Sequence, residues 1–286
     1  MKHLLSGYFA SGELERDGSF SELGHADSVS PETLAYCDSA YYLEAANANP
    51  SVSCILTTPD LVARAVAGKG VAIAANPRVA FYRLHERLWP DPREGETQIH
   101  PSAIVSRGVK IGRGAIISER VVVKDGVEIG DGTFVDVGAV LGAEGLLYVR
   151  EGGENRRVRH LGRVRIGRQV TILANAVLAR GIHPGLPTVV EDRAIVGIAS
   201  AIGHEARIGN NCVVSGNCVI ARRAEIGEKA WIGTSSMIRE YVRVGTRARV
   251  MAGSVVLEDV PKDAEVSGNF AIPHERRMLQ YLKNKR

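Results

Sequence analysis

The side chains of this chain best suited to acid–base or metal chemistry are its histidines and cysteines, and their spacing narrows what they can do. The cysteines, Cys37, Cys54, Cys212 and Cys218, form no CxxC pair and no Cys/His zinc pattern. Cys212 and Cys218 are in phase with the repeat described below and read as small buried apolar residues. The histidines of the second half, His160, His183 and His204, form neither a close pair nor a regular series. An imidazole titrates near neutrality and can take a proton from a substrate; His160 and His183 lie in or beside breaks of the repeat described below, and His204 lies in phase with it. A cationic cluster, Arg276, Arg277, Lys283, Lys285 and Arg286, closes the sequence and reads either as a solvated helix capping the end of the repeat or as a landing patch for an acidic partner.

Those residues hang on a repeat. Stepping by six from Ile99 gives Val105, Ile111, Ile117, Val123, Ile129, Val135 and Leu141, all aliphatic. The register resumes at Ile166, Ile172 and Leu178, then runs without a miss from Val190 to Val256. Four residues after each aliphatic stands a small inward companion, such as Ala194, Ser200, Ala206, Cys212 or Cys218. A period of six fits neither an α-helix nor plain strand alternation. It fits a left-handed parallel β-helix, a three-sided coil in which each turn of the solenoid caps the next.

Two segments break the register, Glu144–Arg163 and Gly181–Val189, and read as loops thrown out from the coil, where binding groups tend to sit. Residues 1–95 lack the repeat and read as a small α/β domain. Its predicted elements are strands at Val52–Thr57 and Gly70–Ala75 and helices at Pro59–Ala67 and Pro77–Leu88. Asp91–Glu96 reads as a polar linker. The coil is expected over residues 96–262, followed by a basic segment, 263–286, ending in a helix over 273–286.

Composition agrees with a stacked core. Of 286 residues, 45% are apolar, only 5% are aromatic, and there are 31 glycines. A net charge of +4 is too mild for a dedicated nucleic-acid binder. No run approaches the ~20 apolar residues that span a bilayer. Met1–Ala10 has no apolar run of signal length, so a cytoplasmic protein without membrane insertion is expected.

The order of small α/β domain, hexapeptide coil and basic C-terminal helix resembles the UDP-3-O-acylglucosamine N-acyltransferases of lipid A synthesis. Three stretches carry the likeness: Gly142–Tyr148 with re-entry at Leu161–Gly167, the hexad Ile202-Gly203-His204-Glu205-Ala206-Arg207, and the exit segment Val266–Phe270. The resemblance implies an N-acyltransferase with no cofactor. It would move an acyl group from a thioester, acyl carrier protein or acyl-coenzyme A, to the amine of a nucleotide-linked amino sugar. The fold class implies a homotrimer with each site in the groove between neighbouring subunits. The resemblance implies His204 as general base and the backbone N–H of Arg222, one coil on, as oxyanion donor. Tyr36 and Tyr42 would stack the nucleotide base. Tyr241 stands where the family has a second histidine near the substrate phosphates. Glu205 replaces the family's Asn and is expected to orient the His204 ring. The hexad Val196–Ala201 lacks the acidic residue that the family carries there, and an acceptor sugar from a surface polysaccharide is a variant of the same reading.

Two other classes compete. A zinc enzyme of the β-helical carbonic anhydrase kind needs a close histidine pair with a third about one coil away, which the spacing of His160, His183 and His204 does not supply. A non-catalytic scaffold that kept the fold would also depart from the family pattern in this way.

Overall fold

The computed structural model describes residues 2–91 and 95–268, with Arg276 and Lys283 beyond them. Most of the segment read as a C-terminal helix, the middle of the linker and the last two residues of the exit segment lie outside the described residues; Arg276 and Lys283 are helical. Two compact units divide the chain, Met1–Pro92 and Arg93–Arg286.

In the first unit, period-two alternation builds a sheet covered on both faces. Its order is Leu14–Arg16, Gly70–Ile73, Val52–Thr57, Thr33–Cys37 and Glu22–Gly24, parallel except for the first strand. Leu34, Cys54, Leu56 and Ala72 point to one face, where they meet Phe81 and Leu84 of helix α2 (Pro77–Leu88). Ala35, Cys37 and Ile55 point to the other, against Leu43 and Ala46 of helix α1 (Ala40–Ala48). Asn76 caps α2, its side chain accepting from the Val79 N–H, with Pro77 in the first turn.

The helix expected at Pro59–Ala67 is a single 3-10 turn, Val62–Arg64. Asn47 closes the segment: its side-chain amide donates to the Arg64 carbonyl and its oxygen accepts from the Val66 N–H. The Val66 N–H is thereby paired with a side chain rather than with a helical carbonyl.

The second unit is the left-handed parallel β-helix. Three ladders of short parallel strands form its sides, with seven, nine and eight strands among the described residues. Rungs in regular coils lie 18 residues apart, as Lys110 over Glu128. Backbone bonds run from coil to coil, for example Ala201 N–H to Cys218 C=O at 2.8 Å. All twelve aliphatics from Val190 to Val256 are buried, with their small companions. Ile99, in the first coil, is 47% exposed, because no earlier coil stacks on it.

The corners impose a constraint on backbone geometry. In nearly every hexad one residue takes a left-handed φ, between 54° and 85°. Glycines serve early, as at Gly132 (φ 64°), and Asn211 and Asn217 later. Glu205 (62°), Arg223 (56°) and Tyr241 (64°) take the same conformation, one coil apart along a single edge.

No helix of the described residues is long and apolar enough to cross a membrane.

Ile220 is fully buried between Ile202 and Ile238 of the adjoining coils. Ile220→Ala should cost about 2–5 kcal/mol by lost transfer energy and a cavity that stacked neighbours cannot close. Denaturant unfolding checks this; a cost within about 0.5 kcal/mol, the range of surface substitutions, would contradict the stacked-core account.

Candidate active site

Both breaks in the repeat end on the edge that carries Glu205. The first leaves the coil through Gly145, forms an antiparallel hairpin of Tyr148–Glu151 with Glu154–Arg157, and returns through His160. The hairpin is exposed on both faces. Its roots are not. His160 is buried, and its ring lies against His204 with centroids 5.2 Å apart at 74°. Gly145 fits beneath the pair. A Cβ there would stand 3.0 Å from His204 Cδ2 and 3.2 Å from His160 Nε2.

The second break serves Glu205. Gly181 opens it, at a point where a Cβ would overlap the Leu186 carbonyl oxygen, so only glycine fits. The loop brings the Ile182 N–H to Glu205 Oε1 at 3.1 Å. It also brings Thr188, whose hydroxyl accepts from the Glu205 N–H at 2.7 Å and donates to the Ala179 carbonyl at 2.6 Å. Arg223, on the next coil, completes an ion pair with the buried Glu205 carboxylate.

His204 follows Gly203, where the coils approach so closely that a Cβ would lie 2.6 Å from the Arg222 nitrogen. The His204 carbonyl accepts from the Arg223 N–H at 3.1 Å. The Arg222 N–H donates to no described residue. Its guanidinium lies 5.3 Å from the centre of the Tyr241 ring, and that of Arg223 5.8 Å away. Tyr241 is exposed. Beside this edge a groove of about 790 Å³ is lined by Leu186, Pro187, Glu205, Arg207, Arg223 and Tyr241 among others, while His204 lies outside its lining.

Electrostatics set the two central groups apart. Burial, and next the His160 ring, hold the His204 imidazole below its usual 6.5; Glu205 pulls the other way, and Arg222 and Arg223 add to the lowering. His204 is therefore neutral at pH 7 and able to accept a proton. Burial alone would raise Glu205, but the hydrogen bonds from Arg223 and the Ile182 N–H and the Arg223 charge outweigh it, so it titrates below the usual carboxylate value and stays ionised.

The structure thus brings His204, Glu205, Arg222 and Tyr241 to one edge. Glu205 Oε2 is 4.0 Å from His204 Nδ1, beyond hydrogen-bond reach, and its oxygens are already taken by Ile182 and Arg223. In the first unit, Tyr36 is half-buried and packs on Phe81, Tyr82 and His25, with ring centroids at 5.0, 6.2 and 6.1 Å. Tyr42, on α1, is half exposed and meets Tyr41 at 5.3 Å. No ring contact joins Tyr36 to Tyr42 among the described residues. His183 is exposed, and no group of three His, Cys, Asp or Glu side chains converges to hold a metal among the described residues.

Sequence reasoning passed over His160. Its only signal is position: it is the histidine where the first break rejoins the coil, just before Val164.

Set beside known proteins, the chain matches no family model. It is 29% identical over 186 residues to a UDP-3-O-acylglucosamine N-acyltransferase of Paracidovorax citrulli, covering 58% of this chain and 55% of that one. The chain thus spans about half the length of that relative. It is 26% identical over 283 residues to the enzyme of that name from Albidiferax ferrireducens, covering 91% of this chain and 85% of that one. Among solved structures, LpxA from Acinetobacter baumannii aligns over 64% of this chain and 75% of its own, at 23% identity and a TM-score of 0.47. The fold places the chain among the hexapeptide-repeat proteins. Seven curated relatives to which the chain is similar bear one name, UDP-3-O-acylglucosamine N-acyltransferase.

His204 should titrate with a midpoint below 6.5 in histidine-resolved NMR. Glu205→Gln removes the carboxylate that favours the imidazolium and leaves Arg223 uncompensated, so the midpoint should fall further. A midpoint at or above 6.5, or a rise in Glu205→Gln, would contradict these electrostatics.

Proposed function

We propose that this chain is an N-acyltransferase that moves an acyl group from a thioester, acyl carrier protein or acyl-coenzyme A, to the amine of a nucleotide-linked amino sugar. The supporting observation is the neutral, buried His204 at the edge where both breaks converge, in a chain similar to proteins named N-acyltransferases. The His204 imidazole takes a proton from the amine as its nitrogen attacks the thioester carbonyl. The oxyanion is met by the Arg222 N–H, whose hydrogen no described residue accepts. Collapse of the tetrahedral adduct breaks the carbon–sulfur bond, and the imidazolium returns the proton to the leaving thiolate. Glu205 holds charge beside that imidazolium, and Arg222, Arg223 and Tyr241 offer cationic and aromatic groups to a phosphate-bearing substrate. Acceptor binding is assigned to Tyr36 and Tyr42 at the ends of the parallel strands, where open α/β sheets take ligands.

The working form is taken to be a homotrimer in the cytoplasm. Its support is an outward sheet face made of Ile104, Val122, Val140, Val177, Ala201, Val219, Met237 and Val255. Ile104 and Val255 are 64% and 55% exposed in the single chain, at the two ends of this apolar row, which suits packing against a second copy.

Calorimetry with UDP, TDP, coenzyme A and AMP tests the acceptor class. UDP or TDP should bind, and Tyr36→Ala should abolish that binding while keeping the fold. Coenzyme A binding with neither pyrimidine nucleotide bound would sink the nucleotide-sugar reading.

A further inference from the structure

His160 packs on His204 with ring centroids 5.2 Å apart, and three of the four ring nitrogens, both of His160 and Nδ1 of His204, are buried with no hydrogen-bond partner in the described structure. The fourth, His204 Nε2, is not among the sealed, partnerless atoms. A neutral imidazole carries one N–H and one bare nitrogen. For His204 to act as a base through Nε2, its proton must sit on Nδ1, and that N–H needs an acceptor. Glu205 is the obvious candidate by sequence, but it stands 4.0 Å away with its oxygens engaged by Ile182 and Arg223. The remaining uncommitted acceptor in ring contact is His160.

We propose that His160 is the positioning residue of His204: a bare nitrogen of its ring accepts from His204 Nδ1–H in the reacting complex and so keeps Nε2 free for the substrate proton. The hydrogen bond is open in the resting chain and closes on substrate binding, a common behaviour of catalytic contacts in unliganded enzymes. His160 suits the task because its anchorage is separate from the coil that carries His204. It sits at the foot of an inserted hairpin, with Gly145, the other foot, packed against both rings. A ring held in the wrong tautomer presents an N–H where the reaction needs a lone pair. This assignment rests on reading His204 as the base.

The test reads the tautomer directly. Histidine-labelled protein is studied by 15N NMR, with His204 identified by the loss of its signals in His204→Gln. On addition of UDP-3-O-acylglucosamine, wild-type His204 should carry its proton on Nδ1. His160→Phe keeps an aromatic ring without an acceptor and should switch His204 to the Nε2-protonated form. His160→Gln, whose amide oxygen accepts, should restore the wild-type form. In acyl transfer to the same sugar, His160→Phe should lower kcat at least about tenfold with KM within about twofold. His204 protonated on Nε2 in the wild-type complex overturns the proposal, and that reading needs no variant to fold. So does a tautomer unmoved in a folded His160→Phe. Full turnover by His204→Ala would instead overturn the general-base reading, and the tautomer data would still decide whether His160 holds the ring.

Discussion

Nearly every corner of the three-sided coil places one residue in a left-handed φ, and the alignment of the edge that carries the site depends on that. Outside glycine and asparagine the conformation costs about 1–2 kcal/mol per residue. The chain accepts it at Glu205, Arg223 and Tyr241. The reward is alignment. Residues one coil apart stack on one edge at a fixed spacing, so a carboxylate, a guanidinium and a phenol from remote parts of the sequence share one site. The backbone ladder and the aliphatic stack hold that edge rigid, and the chemistry needs such rigidity more than it needs any one contact.

Two insertions use the edge. The hairpin roots supply Gly145 and His160 to His204, and the Gly181–Val189 loop supplies Ile182 and Thr188 to Glu205. The two side chains are neighbours in sequence, yet each is held by a different insertion. That separation has an electrostatic consequence. Glu205 is fixed as a carboxylate by its own donors, and its charge favours the imidazolium without taking the Nδ1 proton. Three sealed, partnerless ring nitrogens would each cost about 1–3 kcal/mol if they stayed so throughout the cycle. A concentration of such atoms beside the candidate base marks where a proton or substrate is to be received.

The coil was legible because a period of six has no competing interpretation, and each aliphatic of the long run from Val190 is buried where the period puts it. The register breaks were legible as loops for the same reason. What they hold was not. His160 looked isolated because its distance along the chain from His204 is set by an insertion rather than by the coil period. Glu205 looked like an orienting partner because adjacency in sequence suggests contact, but the corner turns its carboxylate toward Arg223 and Ile182. In the first unit the sheet strands at Val52–Thr57 and Gly70–Ile73 and helix α2 follow their patterns. The helix expected at Pro59–Ala67 is a 3-10 turn whose end is bound by the side chain of Asn47, a contact no local propensity contains.

The central claim is that His204 removes the proton that lets an amine attack a thioester. The most direct measurement is the rate of acyl transfer from acyl carrier protein or acyl-coenzyme A to UDP-3-O-acylglucosamine, for the wild type and His204→Ala side by side, with folding and nucleotide binding checked in both. Loss of a general base should lower kcat about 10²–10⁴-fold while leaving the fold and nucleotide affinity in place. A His204→Ala protein that turns over at the wild-type rate would contradict the account.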